Sequence, residues 1–422
     1  MKNRPIFPLL AFILAVLPLK GAYGQLTVEQ CQDMARENYP LVRQYGLVER
    51  TARYNLANAS KGYLPQVSLS GKASYQSEVT QIPIEIPGVD VGARKDQYQI
   101  MAELDQTIWD GGSIRSQRKQ VKAQAEVDAV QTDVDLYAIR ERVNQLFFGI
   151  LLLDEKLKQN SLLQQELGRN YTQVEAYIAN GIANQTDLDA VKVEQLSAVQ
   201  TQKELTFSRV AYIRMLSAFI GQEIAASDTL TCPQMPDVPA AAAIDRPELS
   251  LFAALEKQLD ARKTSVNARN LPKIGAFVQG AYANPGLNFL KDEFSAYYIA
   301  GVRLKWDFGG LYTRRNDMRL IELQRDQVDV QRKTFLFNTH LTATEQTQEI
   351  EKYRKLLEDD DRIVELRGSI CQSALAKVAE GTMSVIEMLR QVTAQDMARQ
   401  DRAAHQVQLL LSAYQYKNTI NE

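Results

Sequence analysis

After Pro65 the chain alternates between apolar and polar positions. Val67, Leu69, Ala73 and Tyr75 fall on one side, and Ser68, Ser70, Lys72 and Ser74 on the other. A period of two predicts a strand with one apolar face. A second alternation sets Tyr98, Ile100, Ala102, Leu104 and Ile108 against Gln99, Glu103, Asp105 and Thr107. The stretch between the two carries Pro83, Pro87, Gly88 and Gly92, so they read as a hairpin with a long loop over Ile82 to Arg94. Further on, Ala296, Tyr298, Ala300, Val302, Leu304 and Trp306 alternate with Ser295, Tyr297, Ile299, Gly301, Arg303 and Lys305. Lys273 to Tyr282 supplies a less regular partner strand. Each strand has roughly ten residues, the length at which a tilted strand crosses a bilayer. A half-buried strand of a soluble sandwich shows the same pattern.

A different period follows each hairpin. Leu136, Ile139, Val143, Leu146, Ile150, Leu153 and Leu157 recur at alternating steps of three and four, which is a heptad seam. The register continues through Asn160 and Gln164 to Leu167, Tyr171, Val174 and Ile178, and no proline occurs between Gly112 and Gly181. A helix over that interval is roughly 100 Å long. From about Tyr312 to Gly381 the length recurs with a thinner seam: Leu336, Ile350, Tyr353 and Leu357. Second helices are predicted from about Asp187 to Gly221 and from about Val385 to Tyr416. Shorter ones are predicted over Val28 to Gly62, interrupted at Pro40, and over Pro247 to Asn270.

The two halves are a duplication. Leu64-Pro65 recurs 207 residues on as Leu271-Pro272. The glycine pair of Trp109-Asp110-Gly111-Gly112 recurs 198 residues on in Trp306-Asp307-Phe308-Gly309-Gly310. Gly181, with Asp187 six residues later, recurs 200 residues on as Gly381, with Glu387 six residues later. The fall from 207 to 198 puts nine extra residues in the first hairpin, whose loop is the longer. The first repeat thus occupies 25–221 (hairpin about 66–109, long helices 113–221) and the second 247–422 (hairpin about 273–308, long helices 311–418). Residues 222–246 carry Pro233, Pro236 and Pro239 and read as a linker. Trp109 and Trp306, the only tryptophans, close equivalent strands and read as interfacial anchors. Their offset of 197 is odd, which places them on opposite sides of the wall.

Composition narrows the chemistry. There are 49 basic and 51 acidic residues, so no nucleic-acid footprint. The two histidines, His340 and His405, read as helix-surface residues. The acidic run Glu358-Asp359-Asp360-Asp361 reads as an exposed helix face. Cys31, Cys232 and Cys371 are too far apart for a zinc ribbon or a disulfide framework, and at least one has no partner in the chain. No G-x-S-x-G, Walker A, H-E-x-x-H or C-x-x-C motif occurs, so no enzyme, cofactor or metal site is expected. Lys2 and Arg4, the apolar run from Ile6 to Leu19 and Ala22-Tyr23-Gly24 read as a cleavable export leader over 1–24. The mature chain then starts at Gln25 in an oxidising compartment. No later apolar run reaches 18 residues, so no transmembrane helix is predicted.

Four bilayer-crossing strands leave two unpaired edges, which hydrocarbon does not tolerate. Closure must come from further copies. Eight strands enclose only side chains, sixteen leave an aqueous channel, and twelve fall between. The order of leader, duplicated halves, Leu-Pro before each hairpin, glycine pair after it, and tip glycine followed by an acidic residue resembles the TolC-like outer-membrane efflux protein family, from Gln25 to about Asn418. The resemblance implies a mainly α-helical homotrimer. Its 12-stranded outer-membrane β-barrel, four strands per chain, continues as a long periplasmic α-helical coiled-coil barrel. It further implies a passive exit duct of a tripartite efflux or type I secretion system, working with a periplasmic adaptor and an inner-membrane pump or ABC exporter. The alternatives are a periplasmic coiled-coil adaptor and a secreted structural scaffold; neither accounts for duplicated membrane-type strands.

The same resemblance points to the helical tips, at Gly181 and Gly381, as a periplasmic gate. Asp187 matches the acidic partner of the family's latch. The aromatic latch position is Val378 here and the arginine position is Met383, so that latch is expected to be absent and replaced by apolar contacts. Of two family carboxylate positions lining the tip, Glu387 matches one. Arg390 reverses the sign of the other and stands one helical turn from Glu387, close enough to pair with it.

Overall fold

Glycine, proline and capping residues set the element boundaries in the computed structural model, which describes residues 26–79, 95–225, 227–239, 243–289 and 291–421. The leader over 1–24 and the loop from Ile82 to Arg94 lie outside the described residues. Helix α1 (Val28–Asn38) is opened by Thr27: its hydroxyl accepts from the Gln30 N–H, and the Gln30 side chain accepts from the Thr27 N–H. Pro40 opens a 3₁₀ turn before α2 (Arg43–Ser60). There follow β1 (Gln66–Tyr75), β2 (Asp96–Trp109), α3 (Ser113–Tyr137), α4 (Ile139–Ala179) and α5 (Gln185–Ile220). The second repeat comprises α6 (Pro247–Arg269), β3 (Lys273–Asn284), β4 (Ser295–Lys305), α7 (Gly309–Ala379) and α8 (Val385–Ile420). Helix α7 runs unbroken for 71 residues, roughly 100 Å. Its first-repeat counterpart is interrupted only at Ala138, where the Ala138 N–H still reaches the Val134 carbonyl at 3.3 Å.

The four strands form one antiparallel sheet in the order β1-β2-β3-β4. Residues paired across strands share a face. The rows Leu69–Ala102–Gly280–Tyr298 and Val67–Leu104–Val278–Ala300 make that face apolar from edge to edge. The other face carries Lys72, Gln99, Glu103, Asp105 and Arg303. Near the helices the β2–β3 pairing passes from Thr107–Gly275 to Trp109–Ile274 and leaves Ile108 as a bulge. This corrects the expectation for the tryptophans. The extra residue returns Trp109 to the face of Ile274 and Leu304, and Trp306 lies two residues beyond Leu304. The odd sequence offset is cancelled by the bulge, so both lie toward the apolar side.

The main core sits midway along the helices. Val28 and Cys31 of α1 meet Val143, Phe147 and Ile150 of α4, Leu216 and Ile220 of α5, and Leu410 and Tyr414 of α8. The seam positions Leu136, Ile139, Val143, Leu146 and Ile150 are buried, while Leu153 and Leu157 are half-buried. Phe147, Phe148 and Leu151 lie off the seam yet are buried, because α4 packs against α1, α5 and α8. The described residues of 222–246 form no helix or strand. They strap the waist: Ile224 and Leu230 enter the core, the Thr231 N–H donates to the Leu26 carbonyl at 3.1 Å, and the Tyr416 hydroxyl donates to the Pro239 carbonyl at 2.7 Å.

Three layers stack along the molecule. In the first the order is β1-β2-β3-β4. In the next, α3 packs between α2 and α6, and α6 against α7. Toward the tips, α4 packs between α5 and α8, and α8 against α7. Each layer therefore ends on a first-repeat element (β1, α2 or α5) at one side and a second-repeat element (β4 or α7) at the other.

Candidate functional site

Both helical hairpins turn on a glycine in the left-handed region, Gly181 at φ +73 and Gly381 at φ +71. A side chain there costs about 1–2 kcal/mol. The turns are alike: Gly181 and Ile182 donate to the carbonyls of Ile178 and Tyr177 at 3.0 and 2.9 Å, and Gly381 and Thr382 to those of Val378 and Lys377 at 3.0 and 2.9 Å. These bonds satisfy helix-end carbonyls that otherwise lack partners.

Six residues after each glycine stands a carboxylate with a local task. Asp187 accepts from the Asn184 N–H at 3.0 Å, while the Asn184 side chain accepts from the Asp187 N–H at 3.1 Å. Glu387 accepts from the N–H and hydroxyl of Ser384 at 3.2 and 3.1 Å, and the Ser384 hydroxyl accepts from the Glu387 N–H at 3.2 Å. Both are capping boxes, with negative charge at a helix N-terminus. The pattern Ser384-x-x-Glu387 is the sequence signal that identifies such a box. Glu387 is exposed and Asp187 half-exposed. Arg390 is exposed, and among the described residues no ion pair joins it to Glu387. Val378 is buried and Met383 half-buried in one apolar cluster with Val174, Leu188, Val385 and Met388. The two residues at the expected latch positions thus pack inside their own chain.

Above this cluster lies a polar one. Glu166 of α4 faces Cys371 of α7 at 3.6 Å and Arg399 of α8 at 3.6 Å. Gln400 donates to Asp396 at 2.6 Å. Burial, more than Glu166, pushes the Cys371 thiol up to about 11. Burial also raises the Asp396 carboxyl above its usual range, against the lowering effects of Gln400 and Arg399. A raised folded-state value favours the folded chain most at acid pH, and that contribution is lost as pH rises through it. Asp396→Asn is therefore expected to raise the thermal midpoint at neutral pH, with the gain vanishing as pH falls below the ordinary carboxylate range. Melting curves at both pH values check this.

His405 is not a plain surface residue. Its Nδ1 lies 2.6 Å from Asp360 of α7, and Arg402 pairs with Asp361 at 2.5 Å. The acidic run thus ties α7 to α8, because Asp360 is turned inward and buried. All three cysteines are free. Cys31 and Cys371 are buried and Cys232 is exposed. Burial pushes Cys31 up to about 12.

At the other end the sheet's apolar face lies open. Leu69, Tyr298 and Val302 are 75, 78 and 70% exposed. Trp109 and Trp306 are exposed at its helix-side rim, and the Trp306 indole donates to the Asn270 carbonyl at 3.2 Å.

Residues 32–222 match the model of the family described as outer membrane efflux protein. No curated protein matches the chain in sequence. Solved structures share its fold over nearly its whole length. CusC, reported with conformational changes accompanying folding and transmembrane channel formation, has a TM-score of 0.72 at 13% identity, over 95% of each chain. The outer-membrane channel OprN has 0.68 at 14% identity, over 93% of this chain and 89% of that one. The outer membrane protein VceC from Vibrio cholerae has 0.66 at 12% identity, over 93% and 94%.

Proposed function

We infer that this chain is a TolC-like outer-membrane efflux protein, a reading that the match of its first repeat and its fold support, and that it is one third of a trimeric exit duct that passes solutes outward without an energy source of its own. The observation that carries this reading is the order of elements. In every layer a first-repeat element is free at one side and a second-repeat element at the other. Joining unlike sides of identical copies is a head-to-tail contact, which generates a ring when the rotation closes. Three copies give twelve strands, with the apolar face outward in lipid and the polar face lining water.

The helices support the same joint. Val193 and Leu196 on α5 are exposed, as are Ile363, Leu366 and Ile370 on α7. Leu196 follows Gly181 by fifteen residues and Leu366 precedes Gly381 by fifteen, so the two stripes lie at one height. A soluble adaptor or scaffold has no use for an open apolar sheet. The periplasmic adaptor and the inner-membrane pump or ABC exporter belong to this reading as partners that supply the energy.

The test is fractionation followed by planar-bilayer recording. The expected result is a heat-sensitive trimer extracted from the outer membrane only by detergent, with channel conductance. A soluble monomer released without detergent overturns the reading.

The tips serve in this reading as the gate, with Asp187, Glu387 and Arg390 toward the opening and the apolar cluster around Val378 and Met383 behind them. Asp187→Ala is expected to loosen the closed state and raise conductance. Glu387→Ala is expected to lower cation preference, since three copies form a ring of like charge. Glu387→Gln keeps the cap and removes the charge, so it must lower cation preference equally. If only the alanine variant does so, Glu387 acts through the helix end. With Val378 and Met383 packed inside their own chain, closure by apolar contacts between copies falls to Ile182 and Ile386, exposed near the tip glycines. It implies a resting conductance that, corrected for bulk conductivity, changes little with ionic strength.

A further inference from the structure

The polar face of the sheet is not evenly charged. Lys273 and Lys305 stand directly opposite each other on β3 and β4 at the helix-side rim. Like charges at such a position destabilise a sheet, so packing alone does not account for them. Lys305 approaches Asp307 at 3.5 Å with both side chains exposed, an arrangement worth little in water. Lys273 has no ion pair among the described residues. The next position inward on β4 is Arg303, whose guanidinium reaches Glu103 at 3.0 Å and Asp105 at 3.4 Å on β2. It also lies over the Phe277 ring, 4.6 Å from its centroid. Phe277 in turn packs flush over Gly301, where an added Cβ would sit 3.1 Å from the ring. The guanidinium is therefore held in place, and the two carboxylates of this face are engaged by it. At the rim Lys273 stays without an ion pair among the described residues, and Lys305 has only the exposed Asp307 beside it.

We propose that Lys273 and Lys305, with Arg303 holding Glu103 and Asp105, form a charge filter at the junction of helical duct and barrel that favours anionic solutes. The proposal rests on the duct reading above. Three copies place six lysines around the rim, where a low-dielectric wall concentrates their field on passing solutes. Asp105 and Glu103 lie one and two inward-facing positions beyond Arg303 and form no ion pair with the lysines among the described residues. Lys72, near the far end of β1, adds to the same sign.

Reversal potentials across a potassium chloride gradient test this, read for the wild type, Lys273→Gln/Lys305→Gln and Glu103→Gln/Asp105→Asn in planar bilayers. The lysine pair variant is expected to lower the chloride-to-potassium permeability ratio by about twofold or more, and the carboxylate pair variant to raise it. Glu387→Gln at the tip serves as a control that moves the ratio independently. Should the carboxylate variant fail to assemble because Arg303 loses its partners, the lysine variant decides alone. Conducting channels whose reversal potential is unchanged by the lysine substitutions overturn the filter. Wild-type protein that forms no channel overturns the duct, and the filter with it.

Discussion

Leu69→Arg is expected to abolish assembly in the membrane, whereas Ser70→Arg, one residue on, leaves it intact. Leu69 belongs to the row shared with Ala102, Gly280 and Tyr298, near the middle of all four strands. An arginine facing hydrocarbon at that depth costs about 2–4 kcal/mol per chain, and a closed ring of identical chains repeats the cost in every copy. Ser70 pairs with Met101 on the opposite face, which lines water in the proposed duct. The amount of heat-sensitive oligomer in the outer-membrane fraction reads the difference. Equal loss in both variants would mean that the sheet packs against protein on both faces. Equal tolerance would mean that neither face meets lipid.

Ile150→Asp should be the most damaging change in the helical part. Ile150 is fully buried in the waist core with Val28, Val143 and Leu216. Losing its side chain from a packed site and placing a carboxylate there costs about 4 kcal/mol or more, a large share of the stability of an ordinary domain. Yield should collapse, and what remains should be cut by protease between Leu136 and Leu157. Leu157→Asp, on the same seam but half-buried, should be milder. Wild-type protease resistance in Ile150→Asp would contradict the packing described here.

Much of this fold is legible in the chain because its elements are long and strictly periodic. The alternation from Val67 to Tyr75 and from Tyr98 to Leu104 gives strands whose faces hold in three dimensions, since cross-strand pairing preserves side. The steps of three and four from Leu136 to Ile150 give buried positions for the same reason. The misses fall where a second partner or one extra residue intervenes. Phe147 and Phe148 escape a seam reading because α4 has neighbours on several sides. The bulge at Ile108 reverses the parity that separates Trp109 from Trp306. His405 looks like a surface residue until α8 brings it to Asp360. The thin seam of α7 leaves Ile363, Leu366 and Ile370 exposed on a single chain, a stripe that the proposed joint sets beside α5 of a second copy.

The capping role of Asp187 and Glu387 is legible in the sequence from their spacing alone. Asn184 and Ser384 stand three residues before them, and that spacing explains an acidic residue at a fixed distance from each tip glycine without reference to a pore. The proposed gate gives Glu387 a second task beside the cap, and the glutamine substitution at Glu387 separates the two.

The head-to-tail joint is tested most directly by cross-linking its two sides. In a Cys232→Ser background, with Cys31 and Cys371 buried, Leu196→Cys on α5 and Leu366→Cys on α7 are introduced together and treated with a short bis-maleimide in intact membranes. The trimeric duct predicts a ladder that stops at three chains, and monomers alone when either cysteine is present by itself. A dimer from one of the single-cysteine variants, or a ladder continuing past three, would contradict it.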